Sequence, residues 1–290
     1  MPRSLAFSFG RPCPHRWTVA GLLVALVWLA GGTPVLAVDA CPQQAVEELI
    51  TAGDYDAAVA QAVKRPCAPV LALAARALLA KGAFLPPGKA RSRLLARAIA
   101  LAERALAQDP ENLTALLQAA AAYGFRAVTS RRIGDVRRAW TLLARARKLA
   151  PKDPYVLAAI GTWHGRTRLG AGGLVAPLLF GATKGAARRL FSEALERAPD
   201  APAIVIGAGL LLVAFGGEDM RTGLALLRRA HMLPARDAFT RILKERAMAL
   251  LTAVEEGLEG RALRRLARRL QPYADNPPAG PSRQETGSAG

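Results

Sequence analysis

Residues 139–151 read AWTLLARARKLAP, and this stretch decides the fold because the chain repeats its pattern four times. Ala139, Leu143 and Ala146 are spaced four and three apart, on one face of a helix, and Pro151 then ends that helix. The same order returns as Ala98, Ala102, Ala105 and Pro110, and as Ala187, Phe191, Ala194 and Pro199. A copy one residue short follows as Gly223, Leu227, Ala230 and Pro234. Small residues at the first and third positions let a second helix approach closely, and the residue between them fills the gap. The prolines lie 41, 48 and 35 residues apart, so the sequence describes a stack of helical units.

Counting on from each proline supplies the partner helix. After Pro110 come Leu116, Ala120 and Tyr123; after Pro151 come Leu157, Ile160, Gly161 and His164; after Pro199 come Val205, Ala208, Gly209 and Leu212. Gly134 stands five residues before Ala139 as an inter-helix turn, and Gly53-Asp54-Tyr55 followed by Ala58 gives the same turn near the start. Taken together, residues 42–235 resemble the tetratricopeptide (TPR) repeat family, whose unit is a helix hairpin of about 34 residues. The resemblance implies an all-α, right-handed helix-hairpin solenoid of about five pairs, with a C-terminal capping helix over its last apolar surface.

Two units exceed the family period. The third carries an arginine-rich insertion at Phe125 to Ile133, and the fourth an apolar one at Arg166 to Gly181. Longer helices with a longer loop would accommodate both, and the apolar insertion is expected to pack as a lid on the solenoid. With Trp163-His164 before its insertion and Leu179-Phe180-Gly181 after it, the fourth unit resembles the TPR-like domain of regulator-of-microtubule-dynamics proteins. That likeness implies the fold and nothing about partners.

The rest of the chain divides around this core. Residues 1–37 carry Arg3, Arg11 and Arg16, the apolar run Val19 to Ala30, and small residues at Val35 and Ala37, which is the form of a secretory signal peptide cleaved after Ala37. An uncleaved anchor and a lipid-modified Cys41 are the alternatives. Residues 38–235 form the repeat domain. Residues 236–271 read as two capping helices, the second a basic amphipathic segment from Arg261 to Leu270. Residues 272–290, rich in Pro, Gly and Ser, are expected to be disordered.

Composition narrows the function classes. Hydrophobic residues make up 52% of the chain but aromatics only 6%, a balance that suits close-packed helices and disfavours sandwiches and barrels. The net charge is +18, falling to +15 once the three leader arginines are gone. In an exported chain this charge suits anionic lipid or acidic envelope partners; without interleaved aromatics the arginines do not read as a nucleic-acid surface. Cys41 and Cys67 flank the first helix hairpin, where an oxidising compartment would join them in a disulfide; two buried thiols are the other reading.

Little here resembles catalysis. His164 takes the family's inner packing position and His231 lies near a helix end, with no carboxylate or cysteine cluster at useful spacing. The run Gly170-Ala171-Gly172-Gly173 has no Lys-Ser/Thr after it, and Val175 replaces the third glycine of a dinucleotide loop. No cofactor or metal and no enzyme activity is expected.

The TPR resemblance instead implies a concave groove lined by the first helix of each pair. From the third pair it would take Leu117, Ala121 and Phe125; from the fourth Tyr155, Ala158, Thr162 and Arg166; from the fifth Ile206, Leu210 and Val213. Such a groove suits an apolar helix or extended segment of another envelope protein, unless the chain's own C-terminal helix fills it. The expected function is therefore an exported TPR-like scaffold. A carrier of a hydrophobic small molecule or lipid, with residues 169–180 as lid, is one alternative, and a peripheral membrane protein using Arg261–Arg269 is another.

Overall fold

The computed structural model describes residues 41–130 and 132–274, and among these are twelve α-helices and no strand. They come in pairs: α1 (Gln43–Ala52) with α2 (Tyr55–Lys64), α3 (Ala68–Gly82) with α4 (Lys89–Gln108), and α5 (Leu113–Ser130) with α6 (Ile133–Leu149). The series continues with α7 (Pro154–Phe180) and α8 (Lys184–Arg197), then α9 (Pro202–Phe215) and α10 (Glu218–Met232), and ends in α11 (Ala238–Glu255) and α12 (Gly260–Leu270). All four repeat prolines stand two residues beyond the last residue of a helix, as the loss of a backbone N–H at a helix end requires.

Each pair closes on its small residues. Ala98, Ala102 and Ala105, and likewise Ala139, Leu143 and Ala146, are buried against the preceding helix. At the α9–α10 crossing, a methyl on Gly223 would sit 2.6 Å from the Gly209 carbonyl oxygen and 2.7 Å from the Val213 nitrogen, so backbone lies directly on backbone. Gly161 admits the Phe191 ring edge in the same way. Successive units are tied by a recurrent polar contact: Arg145 donates to the Pro110 carbonyl at 2.6 Å, and Arg229 to the Pro199 carbonyl at 3.2 Å. In the fourth unit that position is Glu193, which instead pairs with Arg147 and Arg197.

Helix starts follow local chemistry. Asn112 accepts from the Ala115 N–H at 2.9 Å, Asp153 from Val156 N–H at 2.9 Å, Thr183 from Ala186 N–H at 3.1 Å, and Asp237 from Thr240 N–H at 2.8 Å. Each satisfies a donor that the first turn would leave orphaned. Cys41 and Cys67, before α1 and after α2, form a disulfide with Cα atoms 6.1 Å apart.

Both insertions lengthen helices instead of adding loops. The first extends α5 to Ser130, with α6 starting at Ile133. The second extends α7 to 27 residues, broken at Gly172, whose φ of 86° interrupts the helical run. The expected burial of this arm is not observed. Within residues 173–180 only Ala176 is fully buried, while Leu174 and Leu178 are 87% and 83% exposed. Past the kink, the outer side of α7 faces away from the solenoid.

Candidate functional site

The ends of the solenoid meet. Gly53, at the α1–α2 turn, faces Ala238 at the start of α11 so closely that a methyl on it would lie 2.8 Å from the alanine Cβ. Tyr55 stands close enough to Asp237 that burial, and then that carboxylate, raise its phenol above the usual range. Phe84, in the α3–α4 loop, stacks on Phe239 at 5.8 Å, and the Arg246 guanidinium lies 4.0 Å over the Phe84 ring. The concave face is therefore enclosed on several sides, leaving a cavity of about 850 Å³.

A short C-terminal piece of the chain, Gln271 to Tyr273, forms part of the wall of this cavity. Tyr273 is fully buried with φ at 57°, a left-handed backbone that a bulky side chain adopts only when its surroundings hold it there. Its ring stacks on Phe125 at 4.2 Å, its hydroxyl donates to the Leu79 carbonyl at 2.9 Å, and its N–H donates to the Ala83 carbonyl at 2.6 Å. Arg166 donates to the Pro272 carbonyl at 2.9 Å, and Arg91, buried in α4, donates to the Ala274 carbonyl at 2.7 Å. The Arg166 guanidinium also lies 5.3 Å from the Phe125 ring centroid. The expectation that everything beyond Gln271 stays unpacked thus fails for Pro272, Tyr273 and Ala274; the other tail residues, and the 1–37 leader, lie outside the described residues.

The ten residues expected to line the groove separate into four groups. Tyr155, Thr162, Arg166, Ala121 and Phe125 line the central cavity, and Tyr155 is 55% exposed there. Leu117 lines a second, more apolar cavity of about 650 Å³ between α5, α6 and the α7 arm, which Ala121, Phe125, Thr162 and Arg166 also border. Ile206, Leu210 and Val213 are buried in one cluster with Leu263, Ala267 and Leu270 of α12, although Leu210 also touches the central cavity. Ala158 packs into the core between helices. Over α9 the chain's own C-terminal helix covers the face, which is the alternative the sequence held beside a partner.

That covering also bears on the membrane alternative. The apolar side of α12 is spent on α9, leaving its arginines outward with no apolar face to insert. His164 is a packing residue: it is buried, meets Trp163 edge-on at 5.1 Å, and accepts from the Thr183 N–H at 3.4 Å. Burial first, and Arg189 second, hold its imidazole below the ordinary value. Among the described residues, no three His, Cys, Asp or Glu side chains come together as metal ligands would.

Sequence reasoning missed Tyr273 and Arg91. Each had a signal: Tyr273 is the only aromatic after Phe239, and Arg91 stands at the head of the buried stripe that continues at Leu95 and Ala98.

The crystal structure of a thermophilic TPR protein from Thermus thermophilus matches this chain with a TM-score of 0.51 at 20% identity, covering 72% of this chain and 97% of that one. No protein-family model and no curated protein matches the sequence. With its paired helices and repeated small-residue crossings, the chain is a TPR-like, all-α helical solenoid.

Proposed function

We propose that this chain is an exported, non-enzymatic scaffold whose concave face takes an extended segment of another envelope protein. The observation that carries the reading is the occupant already there. Gln271–Ala274 packs along the concave face, where Gln271, Pro272 and Tyr273 form part of the cavity wall, and is held largely by its main chain, through Arg166 and Arg91 to carbonyls and Ala83 to an N–H. Contacts of this kind accept many sequences, while the stack on Phe125 favours an aromatic side chain at one position. The export component of the reading rests on the leader sequence and on the cysteine pair.

Tyr155, exposed on the cavity wall, is the position to test. Envelope proteins captured by the wild-type chain should be recovered in reduced amount by Tyr155→Ala at unchanged thermal stability. Equal capture by that variant overturns the groove as the binding face. A chain ended after Gln271 should capture more, because its own occupant is gone.

A second reading is favoured by one observation, the apolar cavity between α5, α6 and the α7 arm, walled by Leu117, Val136, Trp163 and Leu179. Its size and lining suit a hydrophobic small molecule or lipid chain. Solvent extraction of the natively purified protein, followed by mass spectrometry, distinguishes a carrier from a scaffold.

A further inference from the structure

Beyond the concave face, the α7 arm carries a surface of a different kind. Leu174 and Leu178 lie one helical turn apart and point into solvent, and Val175 and Leu179 beside them are about half exposed. Ile133 of α6, also half exposed, borders the same apolar cleft as Val175 and Leu179, so the exposed groups form a continuous patch. Monomeric proteins seldom leave such a patch without a use.

The charge around it says what covers it. From Pro154 to Ser192 the chain has no Asp or Glu, yet it has Arg166, Arg168, Lys184, Arg188 and Arg189. The Arg168 guanidinium lies against Gly173 at the root of the arm, Arg189 stands near His164, which accepts from Thr183 just past the arm, and Arg132 lines the adjoining cleft. The nearby acids are already matched: Asp135 by Arg126 at 2.7 Å, Asp219 by Arg188 at 2.8 Å. An apolar tip with a cationic rim, its neighbouring acids compensated, fits a lipid surface bearing negative headgroups.

We propose that the α7 arm docks this protein on an anionic membrane leaflet. Leu174 and Leu178 enter the boundary of the acyl region, and Arg132, Arg168 and Arg189 meet the phosphates. No helix among the described residues is long and apolar enough to cross a membrane, so the contact is a shallow, interfacial one. The kink at Gly172 turns the arm away from the line of the first part of α7.

The test places a polarity-sensitive fluorophore on the arm of the full chain, as Leu178→Cys in a Cys13→Ser background, with Met232→Cys as an exposed control on α10. A site-specific probe makes the result independent of any contact by the apolar leader. Vesicles of phosphatidylglycerol and phosphatidylcholine should blue-shift the probe at 178 and not at 232, and raised salt should weaken the shift. Pure phosphatidylcholine should need about tenfold more lipid, because the arginine contacts are lost. Labelled Leu178→Cys carrying Leu174→Asp should lose about tenfold in lipid affinity while keeping its helical circular dichroism. An unshifted probe at 178, an equal shift at 232 or equal binding to neutral vesicles overturns the proposal. So does a shift that grows with protein concentration in the absence of lipid, which would assign the patch to a second copy of the chain.

Discussion

Phe125 and Tyr273 stack with ring centroids 4.2 Å apart and planes 17° from parallel, joining the third repeat to the last described turn of the chain across 148 residues of sequence. The pair sits where the first helices of the repeats converge, and both polar ends of Tyr273 are used: the hydroxyl on Leu79, the N–H on Ala83. This segment therefore stabilises the same cavity whose wall it helps to form.

That arrangement predicts a coupling between Gly82 and Tyr273. A methyl on Gly82 would lie 2.6 Å from the Tyr273 hydroxyl oxygen, and the stacked ring has no room to withdraw. Gly82→Ala is expected to cost about 1–3 kcal/mol through overpacking. Tyr273→Phe loses one hydrogen bond, about 1 kcal/mol. Because the phenylalanine removes the obstructing oxygen, the double variant should be at least about 1 kcal/mol more stable than the sum of the singles implies. Chemical denaturation of the four proteins measures this cycle.

The Cys41–Cys67 bridge closes the first hairpin at a sequence separation of 26. In the chain-entropy account a loop of that length contributes about 3.5 kcal/mol. Replacing both cysteines by serine should lower stability by that order. Since the α1–α2 turn rests on the start of α11, amide exchange should rise in α1, α2 and early α11 while α7 is unaffected. Hydrogen-exchange mass spectrometry resolves the three regions.

What the sequence made legible was whatever depends on neighbours. The prolines after α4, α6, α8 and α10 ended helices where expected, and Gly209 and Gly223 met across one crossing because a single helix pair fixes that contact. The meeting of Gly53 with Ala238 was not legible, since it is the sum of small rotations over five pairs, none of them written at one position. Ile206 and Val213 have the period of a groove-lining face whether a partner or α12 covers it; apolar spacing reports burial and not its source. Tyr273 was hidden by composition. One anchoring aromatic in a Pro- and Gly-rich tail barely changes the average that marks such a tail as unstructured.

Two glycines of the α9–α10 pair should respond oppositely to alanine. Gly207 has nothing within 4 Å of where a methyl would go, so Gly207→Ala gains helix propensity and should stabilise by about 1 kcal/mol. At Gly223 the obstacles are the Gly209 carbonyl and the Val213 nitrogen, which are backbone atoms and cannot rotate aside. Gly223→Ala should therefore force the two helices apart and destabilise by more than the propensity gain returns, about 2 kcal/mol or more. Thermal melts of the two variants, run beside wild type, should move to opposite sides of it.

His164 gives the fold a pH dependence of definite sign. Burial, and secondarily Arg189, hold its folded-state value below the ordinary 6.5, so the folded protein takes up this proton less readily than the unfolded chain. The contribution of the neutral imidazole is full above about pH 6.5 and is lost as pH falls below it toward the lowered folded value. His164→Gln keeps an acceptor for the Thr183 N–H and carries no proton equilibrium in this range. Urea midpoints of the two proteins should differ by a constant amount from pH 8 to 7, then converge as the pH falls below about 6.5 and only the wild type loses stability from this site. A gap that stays constant down to pH 5 would mean that the imidazole ionises in the folded state as freely as in water. Its packing between Trp163 and Trp140 could not then be excluding solvent.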